Sequence, residues 1–257
     1  MKSILVIGDS CTDEYVYGYV HRICPEAPVP CFDVIDKTTQ NLGMASNVKN
    51  NISSMLNAEI NIITNKSLPI KRRFIDNQYN RIVFRADIND ACERIDRSVL
   101  RTYMNYEIVC ISDYCKGFLS IEDIEYITKL FKDSTIFLDT KKKFDTRMSD
   151  VDYIKINHNE FVNNFSKNVE FTKEYNTKLI VTHGSNGAYL YEKGKQTIFP
   201  TQKSEIIDVC GAGDTFFAGL IVSYAKGLDI EDSINFANRC ASEVVKKLGV
   251  CSYEHMD

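Results

Sequence analysis

The chain lacks any apolar run long enough to cross a membrane as a helix, and no basic block extends beyond Lys141-Lys142-Lys143. The first absence argues against a helical membrane protein, and the second, at a net charge of −4, against a general nucleic-acid surface. Neither a membrane nor a nucleic acid is therefore expected as a partner. Cysteines stand at positions 11, 24, 31, 92, 110, 115, 210, 240 and 251, with no Cys-x-x-Cys pair and no zinc-finger spacing. A structural metal or a disulfide framework has no support in that pattern. Several of these cysteines fall within expected strands or helices, where the side chain acts as a small hydrophobe; reduced thiols in a cytoplasmic protein are the expectation. The histidines carry no metal-ligand spacing. The opening apolar run ends at Gly8-Asp9, too short for a signal peptide, and internal repeats, low-complexity tracts and long linkers are missing.

At 257 residues, 44% hydrophobic and 26% charged, the chain can bury one large core, or a core plus a small appendage. Short runs rich in Ile, Val and Phe alternate with helical patterns, which predicts an α/β fold with a mostly parallel sheet. The expected central strands are Ile4–Ile7, Ile60–Thr64, Ile108–Ser112, Thr135–Leu138, Tyr153–Ile156 and Leu179–Thr182. Gly187–Tyr191 and Thr197–Phe199 read as an added hairpin turning at Lys193-Gly194. Three apolar stripes at helical spacing follow: Met44, Val48, Ile52, Met55; Phe217, Leu220, Ile221, Tyr224; and Ile234, Ala237, Ala241, Val244, Leu248. Two stretches break this rhythm. Residues 15–35 alternate through a Pro-rich bend, and Arg73–Asp76 and Arg81–Asp87 flank a turn at Asn77–Asn80. Together they predict a small antiparallel sheet standing off the main body, from segments 14–36 and 70–88 of a single 1–257 domain, as a lid over a cleft or a dimer contact.

The string Asp208-Val-Cys-Gly211-Ala212-Gly213-Asp214 runs directly into an amphipathic helical start. A Gly-Ala-Gly turn opening a helix aims backbone N–H groups at one point, and the helix dipole adds positive charge there. Asp214 beside such an anion hole is placed to take a proton from a hydroxyl, a pairing suited to moving a phosphoryl group onto an alcohol. Other candidates sit at strand ends, where open α/β sheets bind ligands. Asp9 and Asp13 could accept from sugar hydroxyls, or serve as turn residues. Asn41-Leu-Gly43-Met-Ala-Ser-Asn47 precedes a helix, either as a substrate loop or as an ordinary capping loop. Lys116 follows a strand and could present a cation to a phosphate. Asp139 with Lys141, and Asn157 with Glu160, could act on Mg²⁺ through water; helix capping by Asn157 is the alternative. Thr182-His183-Gly184 with Gly187 suggests a nucleotide-side loop.

In order, these pieces resemble the ribokinase-like (PfkB) carbohydrate kinases over most of the chain. Arg22-Ile-Cys-Pro-Glu-Ala-Pro-Val-Pro30 is similar to the lid of one branch, the kinase half of bifunctional heptose-7-phosphate kinase/heptose-1-phosphate adenylyltransferases. Ser112–Gly117, Asn157-x-x-Glu160, Asp208–Asp214 and Lys247-Leu-Gly249 match further landmarks. The resemblance implies a three-layer fold and phosphorylation of a heptose 7-phosphate at its anomeric hydroxyl by ATP and Mg²⁺, with a monovalent cation as a further candidate. Another sugar kinase, or a silent binding protein on the same fold, are the alternatives. Asp214 would be the base, with Gly211, Ala212 and Gly213 as the anion hole. Asp13, Arg22, Gly43, Asn47 and Lys116 would face the sugar phosphate; Lys141, Asn157, Glu160, Thr182, Gly184, Gly187, Asp208 and Asn238 would face ATP, with Asn157 and Glu160 on the metal side. A homodimer through the lid is implied, as is a separate adenylyltransferase, since the sequence stops after the kinase landmarks. Three departures stand out: Met44 where a second glycine is usual, Cys210 for a common Thr, and a link between Thr64 and Lys71 too short for the βα unit expected there, on the order of 30 residues.

Overall fold

The computed structural model describes residues 2–165, 170–202, 206–247, 249–251 and 253. In chain order, β1 (Ile4–Gly8), β2 (Ser10–Ile23) and β3 (Pro30–Met44) lead into α1 (Ala45–Met55), and β4 (Ile60–Thr64), β5 (Ile70–Asp76) and β6 (Arg81–Ile88) follow. Next come β7 (Ile108–Asp113), α2 (Ile121–Leu130), β8 (Thr135–Thr140), β9 (Tyr153–Asn157), the single turn α3 (His158–Glu160), α4 (Phe171–Glu174) and β10 (Lys178–Thr182). The hairpin β11 (Ala188–Glu192) and β12 (Lys195–Phe199) precedes two long helices, α5 (Ala212–Ala225) and α6 (Ile230–Val244).

The main sheet has the order β12-β11-β10-β9-β8-β7-β1-β4, parallel from β10 to β4, with the hairpin added antiparallel at one edge. Alternation along its strands feeds two cores. Ile4 and Val6 of β1 and Ile108 and Cys110 of β7 pack on one face with α1, α5 and α6. Leu5, Ile7, Val109 and Ile111 point to the other, against Ile124 and Ile127 of α2. Strands apolar on both faces in this way are those of a sheet covered by helices on each side. α2 starts at a capping box, in which the Ser120 hydroxyl accepts from the Asp123 N–H and the Asp123 carboxylate accepts from the Ser120 N–H. Of the third expected stripe, Ile234, Ala237 and Val244 are buried and Ala241 packs against the core that holds Ile234 and Ala237; Leu248 lies outside the described residues.

The second sheet has the order β3-β2-β5-β6. It differs from the expected antiparallel lid in its middle: β2 pairs with β5 in parallel, while β2–β3 and β5–β6 are antiparallel. β2 and β3 are also longer than expected. Asn41–Met44 is strand, paired with Ser10–Asp13, and not a capping loop; the pairing carries the lid down to the mouth of the main sheet. Register shifts fall between Val16 and Gly18 and between Val20 and Arg22. β4 is an edge strand, and the short link to β5 is stitched by Asn65, whose amide accepts from the Ser10 N–H (2.7 Å) and donates to the Ser10 (3.0 Å) and Ser67 (2.7 Å) carbonyls.

Candidate active site

The turn before α5 places Gly211 at φ 79°, a left-handed conformation that favours glycine, and the Gly211 carbonyl then accepts the first helical hydrogen bond from Thr215. Asp214 thereby enters the first turn of α5 with its side chain buried. The Asn47 amide donates to its Oδ2 at 2.9 Å, and the Tyr114 hydroxyl donates to its Oδ1. Asn51 in turn donates to Asn47 Oδ1 at 3.0 Å, which fixes the amide's orientation. Burial pushes the Asp214 carboxyl up to about 6, against the lowering pull of the Asn47 and Tyr114 bonds; Asp139 adds to the rise and Lys155 opposes it. Burial, with Asp214 next to it, drives Tyr114 well above an ordinary phenol, so its hydroxyl remains a donor.

A cavity of about 760 Å³ opens from Asp214, lined among others by Tyr114, Asp139, Lys141, Lys155, Asn157 and Glu160. Lys155 was not expected here. Its ammonium bonds Asp139 Oδ2 at 2.7 Å and lies against Gly213, where an added Cβ would stand 3.3 Å from Nζ. Burial alone would lower the Lys155 ammonium, but Asp139 outweighs it, so the group stays charged. A buried cation thus faces the helix N-terminus beside Asp214. The available signal was a lysine inside the apolar run Tyr-Ile-Lys-Ile, since lysine is almost never fully buried without a partner. Tyr114 gave no such signal; its contact with Asp214 depends on how loops at separate strand ends converge.

A second, more apolar cavity of about 450 Å³ adjoins the first and is lined by Thr182, Gly184, Gly187, Ala212, Phe216 and Asn238. Asn238 spends its amide on the Phe199 carbonyl (3.0 Å). Asp208 caps the turn, accepting from Cys210 (3.0 Å) and Gly249 (2.9 Å) N–H groups. Asn157 and Glu160 form a capping box on α3, with bonds of 2.9 and 2.8 Å, so capping occupies both. Lys141 sits over the Tyr114 ring at 4.2 Å. Among the described residues no group of three or more His, Cys, Asp or Glu could hold a metal. Asp139 and Glu160 line the cavity as separate carboxylates, which suits a cation held chiefly by phosphate oxygens and water.

On the lid side, Asp13 is buried and paired with Arg73, and Gly43 gives it room, because a Cβ there would lie 2.1 Å from Asp13 Oδ2. Lys116 pairs with Asp90, which Lys71 also approaches at 3.8 Å. Lys71 is buried, and that burial holds its ammonium below the ordinary value, with Arg85 and Lys116 pressing the same way. Lys71, Arg73, Arg85 and Lys116 thus gather at the base of the lid. Two expectations fail there. Asp9 is consumed within the fold, accepting from the Tyr114 (2.7 Å) and Phe118 (3.2 Å) N–H groups, and is no sugar acceptor. Arg22 stands exposed near the lid tip, opposite Cys31 and apart from this basic group.

A buried carboxylate beside a helix N-terminus, a buried cation and two adjoining cavities at the carboxyl ends of a parallel sheet are an arrangement able to support phosphoryl transfer. Residues 59–255 match the model of the pfkB family carbohydrate kinases. The chain belongs to that family, whose members are ATP-dependent carbohydrate kinases. It is 32% identical to the bifunctional protein HldE of Helicobacter pylori strain HPAG1 and 27% identical to that of Hydrogenovibrio crunogenus, alignments that cover 97% and 99% of this chain. The chain spans 64% and 61% of those relatives' length. The first alignment runs over 296 positions, more than the 257 residues present, so it must be opened by insertions in the relative. Among solved structures, ribokinase from Thermotoga maritima (TM-score 0.76, 17% identity, 97% of this chain and 95% of that one) and phosphofructokinase-2 from Escherichia coli in complex with potassium (0.77, 13%, 98% and 96%) share the ribokinase-like fold.

Proposed function

We propose that the chain phosphorylates a sugar phosphate, D-glycero-D-manno-heptose 7-phosphate, at its anomeric hydroxyl to give the 1,7-bisphosphate for ADP-heptose synthesis in the cytoplasm. The observation that carries this reading is the cluster of cations at the lid base. Lys71, Arg73, Arg85 and Lys116 meet there against three carboxylates, Asp13, Asp87 and Asp90, which leaves one positive charge in excess where a phosphate, and not a neutral sugar, would draw on it. The likeness of the chain to HldE proteins supports heptose as the sugar.

In this reading Asp214 takes the proton of the anomeric hydroxyl as the new P–O bond forms. Asn47 and Tyr114 hold the carboxylate in place, and its raised pKa brings it toward the working pH of a general base. The N–H groups of Ala212–Asp214 and the Lys155 ammonium stabilise charge on the transferring phosphoryl group. Mg²⁺ entering with ATP would neutralise phosphate oxygens, with Asp139 and Glu160 near it. The second cavity would receive the adenine end of ATP. Segments 14–36 and 70–88 act as a lid that excludes water.

The test is ADP release over a panel of sugars and sugar phosphates, with Lys71→Met and Lys116→Ala alongside. Losing a charge-assisted bond costs about 1.5–3 kcal/mol, so KM for the sugar phosphate should rise about 10- to 100-fold while KM for ATP holds. Preference for unphosphorylated sugars would overturn the assignment, and equal effects on both substrates would make these lysines purely structural.

A further inference from the structure

The tip of the lid carries two thiols that phosphoryl transfer does not use. β2 and β3 pair up to Arg22 opposite Cys31 and Ile23 opposite Pro30, and the Cys24 N–H then donates to the Val29 carbonyl at 2.7 Å. Side chains alternate between faces along a strand, so Cys24 shares the face of Arg22 and therefore of Cys31, one diagonal step away. The two thiols lie close enough to influence each other's ionisation, and neither is fully buried. Pro25, Pro28 and Pro30 restrict the bend between them, so little chain entropy remains to be lost in joining its ends.

The pair is chemically unequal. The Glu26 and Ala27 N–H groups and the Cys31 thiol near the Cys24 sulfur favour its ionised form and hold its pKa below the ordinary thiol value. Desolvation, with Cys24 adding and Arg22 opposing, holds Cys31 above it. A more acidic thiol next to a less acidic one is the arrangement of an attacking and a resolving cysteine. Of the other thiols, Cys115 is held up by desolvation and by Asp113, Cys92 and Cys210 are pushed up to about 11 chiefly by desolvation, and Cys11, Cys110 and Cys240 are buried.

We propose that Cys24 and Cys31 are a redox modification site, forming a reversible disulfide across the lid hairpin with a small-molecule disulfide as oxidant. The Cys24 thiolate attacks one sulfur of R–S–S–R and expels RS⁻, leaving a mixed disulfide on Cys24. Cys31 gives its proton to water, attacks Cys24 Sγ and expels the second RS⁻. Two protein thiols are oxidised and one disulfide is reduced to two RSH. A transient bridge of this kind is the form cytosolic disulfides usually take. It would close the 25–30 bend into a ring and fix the strand end that presents Arg22.

The full-length protein is incubated with oxidised glutathione, alkylated with iodoacetamide and digested with trypsin. Ile23–Lys37 is a single tryptic peptide holding both cysteines and no others. It should lose both alkylatable thiols and become lighter by two hydrogens, while the Cys115 peptide stays alkylated; dithiothreitol should restore both. Cys31→Ser should trap glutathione on Cys24, and Cys24→Ser should abolish oxidation of the peptide. Both variants lie away from the phosphoryl-transfer residues, and their kinase activity shows that they fold. Glutathione persisting on wild-type Cys24 without resolution, or a 23–37 peptide that stays alkylated while Cys115 is oxidised, would overturn the proposal.

Discussion

Asp214 carries its negative charge at the expense of the fold. Its carboxyl stands at about 6 in the folded chain against 3.8 ordinarily. The folded state therefore binds the proton more tightly, and stability falls as pH rises from about 4 to about 6, by up to roughly 3 kcal/mol. Asp214→Asn removes that cost. We expect the variant to melt higher than wild type at pH 8, with the advantage gone at pH 4, while kcat drops about 10²- to 10⁴-fold and ATP binding persists. Wild-type kcat/KM should fall as pH drops through about 6. Near-normal turnover in the variant would remove Asp214 from the mechanism. Met44 is held under backbone strain. It adopts φ 58° and ψ −131°, a backbone that favours glycine, while its side chain is buried. Truncation to Ala loses the burial and keeps the strain, whereas truncation to Gly releases strain of order 1–3 kcal/mol. Met44→Gly should therefore be more stable in urea than Met44→Ala by about 1 kcal/mol, the reverse of the usual order; the usual order would show that the strain is absent.

At the scale of elements, the central strands were legible because a strand buried on both faces must be apolar at every position. β1, Ile-Leu-Val-Ile-Gly, has no other reading between a polar start and Gly8-Asp9. The α5 start was legible because the Gly-Ala-Gly turn and Asp214 are contiguous. The parallel pairing of β2 with β5 was not: both strands alternate in a way that suits either direction, and the choice follows from where the chain re-enters after β4. Asn65 escaped notice for the same reason, as a polar residue in a short link until the fold sets it beside Ser10. It now holds the place where a βα unit was expected. Asn65→Ala should cost about 2–4 kcal/mol in urea unfolding, because it strands the buried Ser10 N–H as well as losing its own bonds. Asn65→Asp should fare no better, since a carboxylate cannot donate to the Ser10 and Ser67 carbonyls. A loss below about 0.5 kcal/mol for both, the level of an ordinary surface site, would mean the link closes without this stitch.

At the scale of the molecule, the lid leaves apolar surface uncovered. Val34 is 62% exposed and Phe84 49%, with Phe84 stacked on Phe74 at 4.2 Å. Tyr15 adds nothing to that exposed surface: it is buried, and its hydroxyl accepts from the Val250 N–H at 2.8 Å. A four-stranded sheet with one face open invites pairing, and a two-fold partner is the commonest way to cover it. Val34→Lys and Phe84→Lys should each lower the mass seen by light scattering from dimer to monomer, and lower activity with it. A wild type that is monomeric and fully active at micromolar concentration would show that the lid closes alone.

β2 runs without interruption from Ser10, at the mouth of the main sheet, to Ile23 at the lid tip. In mechanical terms it is a lever arm. Its fulcrum is the buried Asp13–Arg73 pair, and its two register shifts are the only places where the ladder gives. The ten residues beyond Asp13 span about 33 Å at about 3.3 Å each, so a turn of about ten degrees at the fulcrum sweeps the tip by roughly 6 Å. A small turn at the buried Asp13–Arg73 pair would thereby be magnified into a much larger displacement at the far end of the arm.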